Sequence, residues 1–383
     1  MRGPTVSMAS ATPCGRRPAA SPRVDGRADH GAGGRAQRLV PGLKGRNMVS
    51  SSVGVHAADR LAPTLLGLSK ARWRTVLTVL LAAFFVLVPL YAWLTGDSYV
   101  LILMGRILVF ALAAVGLNLA LGYGGMVSFG HAMYLGIGAY VVAIASHHGL
   151  DNGLVHLLLV AALTVAVAIP VGLIALRTQG IAFIMITLAF AQMLFFVAVG
   201  LKQYGGDEGL SIVHLSRFGA LTGNKTALYL SMLLALGLAL WLLRRVVASR
   251  FGLVLRATMI NERRVRAVGT PPLGYRLAGY VASALLCALA GYFLANLTSF
   301  ASPAYMAWTV SGELIVMVLL GGMGTLVGPV VGALVFLLLE EGLKALTDHW
   351  LVIMGPVIVV IVLFLKNGLW GIVSDVPAAR GGH

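Results

Sequence analysis

Past about residue 75 the chain is a succession of long apolar runs parted by short polar breaks. A helix rises 1.5 Å per residue, so about 20 apolar residues cross ~30 Å of hydrocarbon. The runs 75–94, 100–121, 128–146, 154–176, 181–201, 227–246 and 276–300 are each read as one crossing helix. The run 312–341 is longer. As one straight helix it would reach about 45 Å, too far for one comfortable crossing. Gly321, Gly322 and Gly324 lie a third of the way in. They predict a break, giving two helices or a re-entrant hairpin whose freed backbone must be buried in protein or line a cavity. The run 350–365 comes last. The expected fold is an all-α integral membrane protein, a polytopic bundle of nine or ten segments with a broken or re-entrant helix near 321–324.

Residues 1–70 differ. They are rich in Gly, Ala, Pro, Ser and Arg and lack apolar periodicity. Such a segment buries too little surface to offset its ordering entropy, so it is expected to be a disordered basic extension preceding a membrane domain over 71–383. It lacks the apolar core of a signal peptide. Met48 begins a shorter leader, which makes 1–47 an expected dispensable segment.

Composition supports lipid as solvent: 58% of the 383 residues are hydrophobic and 11% charged, against roughly 25% charged in soluble domains. The net charge of +16 is not a nucleic-acid footprint, because no folded basic domain with interleaved aromatics carries it. Lys and Arg instead cluster before the first run and in the loop 247–275, which places the N-terminus and that loop on the cytoplasmic side. The two cysteines, Cys14 and Cys287, set up neither a disulfide framework nor a metal site.

The loop 247–275 is the most charged part of the membrane region. Phe251, Leu255 and Met259 recur at four-residue spacing, and Glu262 and Arg266 form an i,i+4 pair. This reads as a helix along the membrane face, stopped by Gly269 and Pro271-Pro272. It either holds topology or docks a partner. Uncharged polar groups inside the runs are few. Asn118, Ser128, His131, Thr187 and Gln192 either line a pathway or bond internally between helices. His131 has no second ligand at metal spacing. Glu313 stands at a helix start, where the dipole favours it.

The stretch "GLNLALGYGGMVSFGHAMYLGIGAY", 116–140, closely resembles the permeases of branched-chain amino-acid ABC importers. So do "TQGIAFIMITLAFAQMLFFVA", then "LKQYGGDEGLS", and "SPAYMAWTVSGELIVMVLLGGMGTLVGPVVGA". "NERRVRAVG", 261–269, followed by "YRLAGYVASALLCALAGYF", looks like the loop through which ABC-importer permeases meet their ATPase. Ala267 and Gly269 match its small residue and terminal Gly, and Glu262 and Arg263 its charged contacts, but Arg263-Arg264-Val265 replaces the usual acidic-Ala-Ala core. The resemblance covers about 75–370 in collinear order.

It implies a transport subunit, not an enzyme, with no catalytic or metal residue and no cofactor. No GxxxxGK[ST] stretch is present, so ATP would be hydrolysed by partner subunits. The implied partners are a second homologous permease, two cytoplasmic ABC ATPases, a periplasmic or lipid-anchored substrate-binding protein and membrane lipid. The implied coupling residues are Asn261, Glu262, Arg263, Arg264, Ala267 and Gly269. The location implied is the bacterial cytoplasmic membrane. An importer of urea or short-chain amides is the alternative. An ion-coupled secondary transporter would need a mid-membrane acid, and the acids read as lying near span ends.

Overall fold

A computed structural model describes residues 75–96, 98–212, 216, 225–347, 349–364 and 368–374, all within one compact unit, 59–383. The expected extension 1–70 lies outside the described residues. The described chain is helical apart from one two-residue strand pair: α1, Thr75–Thr95; α2, Ser98–Asn118; α3, His131–His147; α4, Gly153–Ala175; α5, Ile181–Gly200; α6, Lys225–Ala248; α7, Arg250–Ala267; α8, Pro272–Thr298; α9, Trp308–Gly321; α10, Gly328–Leu346; α11, Trp350–Phe364; and α12, Gly368–Ser374. Six of these, α1, α2, α4, α5, α6 and α8, are long and apolar enough to cross a membrane. The chain is a polytopic helical membrane protein. The other apolar segments are shorter (α3, α9, α11) or, like α10, carry Glu340, Glu341 and Lys344 near the end.

α2 and α8 form the spine. They run antiparallel: Ser283 donates to Gly116 O at 2.7 Å, and Cys287 Sγ lies 3.4 Å from Ala113 O. α3 lies parallel to α8 through a polar seam in which His131 meets Ser283 and Tyr134 donates to Tyr280 at 3.1 Å. Strand β1, Leu210–Ser211, pairs antiparallel with β2, Phe300–Ala301, at the end of the bundle opposite α7.

Two interruptions depart from a simple bundle. The helix read at 128–146 starts at His131 instead. α2 first widens into a π-helical turn, Leu119–Tyr123, and 124–130 then runs without regular helix. Ser283, the level at which α3 starts, is about 16 Å along α8 from its first residue. The 124–130 segment therefore lies within the length of the span, with Ser128 and Gly130 buried and Gly125 and Val127 exposed. The second interruption is the expected break. α9 ends at Gly321, α10 starts at Gly328, and the chain reverses between them. A Cβ on Gly332 would come within 2.7 Å of Gly321 N, so hydrogen side chains let the antiparallel arms touch.

Candidate functional site

Four of the five polar span residues are fully or almost fully buried and serve the two interruptions. Asn118, 1% exposed, donates from Nδ2 to Thr325 O at 2.7 Å and accepts from Gly324 N at 3.0 Å. Its one side chain satisfies both a donor and an acceptor of the α9–α10 turn, which is how non-helical backbone is tolerated at that depth. Thr187 on α5 accepts from Phe129 N at 3.3 Å and donates to Ile184 O. Ser128 accepts from Gly130 N at 3.1 Å, and Ser311 on α9 accepts from Ala132 N at 3.0 Å. Three side chains thus hold the amides at the buried start of α3, where a helix leaves its first donors free. His131 Nε2 lies 2.8 Å from Ser283 Oγ. Because Ser283 spends its proton on Gly116 O, His131 is the donor, and its Nδ1 has no partner among the described residues. Gln192 is half-buried on α5, and no described residue bonds it. The structure brings Asn118 to Gly324 and Thr187 to Phe129, next to Ser128, and leaves Gln192 apart. Ser311, Ser283 and Thr325 complete these ties. Their partners lie far away in sequence, so no local pattern marked them.

At the opposite end from the sheet, the charged loop forms two helices rather than one. Asn261 breaks α7 with extended backbone, φ −158° and ψ 99°. Its Oδ1 then accepts from Arg264 N at 3.1 Å, the bond of an N-cap. The short helix that follows ends in a two-bond motif: Thr270 N–H reaches Val265 O at 3.4 Å and Gly269 N–H reaches Arg266 O at 3.0 Å. This ending needs a left-handed residue, and Gly269 supplies it at φ +84°. Each end of the turn is therefore set by its own residue.

Glu262 anchors it. Its carboxylate accepts from Arg266 at 2.9 Å, from Arg276 on α8 at 3.1 Å and from Gln179, in the α4–α5 loop, at 2.6 Å. Three internal donors on one carboxylate make Glu262 a fastening of the loop to the bundle. Arg263, Arg264, Ala267, Val268 and Gly269 face outward. Val268 is 84% exposed and Ile260 82%, an apolar pair flanking two arginines whose side chains bond no described residue.

The first half of α7 is packed inward. Leu255 is fully buried beside Gly279 of α8, and Phe251 sits 5.7 Å from Tyr275 between ring centres. Met259 covers Gly125, where a Cβ would meet its Cγ at 2.7 Å. Arg256 caps the end of α6 through Val247 O at 3.0 Å.

Residues 99–362 match the family described as branched-chain amino acid transport system, permease component. Two curated relatives are similar. The high-affinity branched-chain amino acid transport system permease protein LivM of Escherichia coli (strain K12) is 24% identical over 289 residues, 68% of each chain. The protein of the same description from Salmonella typhimurium (strain LT2) is 23% identical over 287 residues, again 68% of each. No solved structure matches.

Proposed function

The chain belongs to the branched-chain amino acid transport permease family and is the membrane component rather than the ATPase of an ABC transporter; from that premise we propose that it carries branched-chain or related amino acids inward, driven by ATP hydrolysed on partner subunits. ABC permease subunits hold no cofactor of their own. The partners proposed are a second homologous permease, two cytoplasmic ATPases and an external substrate-binding protein. The orientation proposed has α7 in the cytoplasm, since Arg244, Arg250, Arg263, Arg264, Arg266 and Arg276 gather at that end.

The observation that supports the coupling role is the capped turn 262–269. It is rigidly ended, fastened at Glu262 and outward-facing at Arg263, Arg264, Ala267 and Gly269. Closure of the ATPases would move this turn, then Met259, Gly125 and the 124–130 segment. Asn118, Ser128, His131 and Thr187 act in this reading as ties that give way or hold when that segment moves, and Gln192 as a group free to meet the pathway.

Substrate class is tested by uptake into inverted-free, binding-protein-loaded proteoliposomes of the full complex. Labelled leucine should accumulate, and valine or isoleucine should compete while urea and acetamide should not. Competition by the amides alone would replace the amino-acid reading with the amide one.

A further inference from the structure

A cavity of about 620 Å³ lies between α4, α6 and α8. On α6 small residues recur at every fourth position, Ala227, Ser231, Ala235 and Ala239, and line its floor. Positions four apart share one helix face, so the four make a continuous channel along α6. A ridge of Leu230, Leu234, Leu238 and Leu242 stands beside it, with Leu157 of α4 and Phe293 of α8 as facing walls. The ridge is open outward: Leu234 is 72% exposed. All three helices are long and apolar enough to cross a membrane, so the groove opens onto hydrocarbon.

Its few polar groups are already spent. Asn296 accepts from Ser216 N at 3.0 Å and donates to Tyr292 O at 2.8 Å, and Ser231 donates to Leu228 O at 2.7 Å. The groove therefore asks for an apolar occupant. Left empty, its walls would forfeit dispersion contacts that a lipid tail, as apolar as leucine, supplies.

The mouth of the groove decides between a lipid and a partner helix. Arg245 lies three residues beyond Leu242 and four beyond Trp241, on the same side of α6. Its guanidinium carbon is 5.3 Å from the centre of the Trp241 ring. Arg244 stands beside it, and both arginines are exposed. Among the described residues no hydrogen bond or ion pair reaches either. Trp belongs at the membrane–water boundary, and a free guanidinium fork matches a phosphate. From Leu242 to Leu230 the groove follows α6 for about 18 Å, close to the ~15 Å of hydrocarbon in one leaflet.

We propose that this groove holds an acyl chain of an anionic glycerophospholipid of the cytoplasmic leaflet, with the phosphate on Arg245 and Arg244. The choice of leaflet rests on the orientation proposed above; the chain and phosphate contacts do not depend on what is transported. α6 passes into α7 across the single residue Ser249, so the bound lipid steadies the helix that carries the 262–269 turn.

The test is native mass spectrometry of the full-length permease, purified with its partners, stripped of lipid, and given palmitoyl-oleoyl phosphatidylglycerol or the phosphatidylcholine with the same chains. Ala235→Phe fills the floor of the groove. Arg244→Gln with Arg245→Gln removes the charge at its mouth and lies beyond the apolar span, so it reports even where Ala235→Phe fails to fold. Gly237→Leu, on α6 but off the groove, is the control. The unaltered chain and Gly237→Leu should hold phosphatidylglycerol at least tenfold more tightly than phosphatidylcholine. Ala235→Phe should weaken both lipids at least tenfold, and the double arginine variant should bring phosphatidylglycerol down to phosphatidylcholine. Equal affinity of the unaltered chain for the two lipids would overturn the proposal, as would undiminished phosphatidylglycerol binding by either variant. Loss of a second permease from folded Ala235→Phe would overturn it too, making the groove a seat for a partner helix. Failure of the importer reading would leave these affinities unchanged, because none is read from transport.

Discussion

Substitution at Gly269 separates a docking surface from a simple helix end. The residue sits at φ +84°, and a Cβ built there meets nothing within 4 Å. Gly269→Ala therefore costs only left-handed strain, about 1–2 kcal/mol, confined to a solvent-facing turn. Gly269→Asn should cost less, because Asn tolerates this conformation. Gly269→Trp carries the same backbone strain as Ala and adds a large side chain on the outward face. The difference between Trp and Ala thus reports what lies beyond the turn. If an ATPase sits there, Trp should weaken its association at least tenfold relative to Ala, a change of ~1.4 kcal/mol. The assay is co-purification of the ATPase with each variant and hydrolysis stimulated by loaded binding protein. Equal, undiminished values for Trp and Ala would refute the reasoning and reduce the turn to a topology signal.

Asn118→Ala should leave Gly324 N–H and Thr325 C=O unpaired and destabilise the chain by about 2 kcal/mol, read by thermal unfolding in detergent; Gln192→Ala should stay within ~0.5 kcal/mol. Gly332→Leu should prevent closure of the α9–α10 hairpin, an overpacking of about 3 kcal/mol, and lower the yield of folded chain. Gly237→Leu on α6, where a Cβ meets nothing within 4 Å, should not. Glu262→Gln weakens the ties to Arg266 and Arg276 and should speed amide exchange across 262–270, with loss of ATPase stimulation; unchanged exchange would mean that Glu262 fastens nothing.

The apolar runs made the long helices legible because about 20 residues is a length few other structures use. The break at Gly321 was legible because an uninterrupted helix would have been too long. The late start of α3 was not: residues 128–130 are as apolar in context as those that follow, and the bonds that hold them unwound come from Thr187 and Ser311, far along the chain. At the charged loop the sequence marked the end, Gly269, but not the division at Asn261, because no Gly or Pro stands there to signal a kink. Asn118 could be read as a pathway group or an internal tie, and only its bonds to Gly324 and Thr325 distinguish them. The Arg106–Glu340 pair spans 234 positions, so depth along single helices made the acids look peripheral.

The central claim is that ATP hydrolysed elsewhere moves substrate through this chain. The most direct measurement places the permease with its second permease and ATPases in liposomes, adds leucine-loaded binding protein, and follows accumulation with ATP on the ATPase side or with an imposed proton or sodium gradient. The account predicts uphill leucine uptake that depends on ATP and persists when ion gradients are collapsed. Uptake that follows the ion gradient and ignores ATP would contradict it.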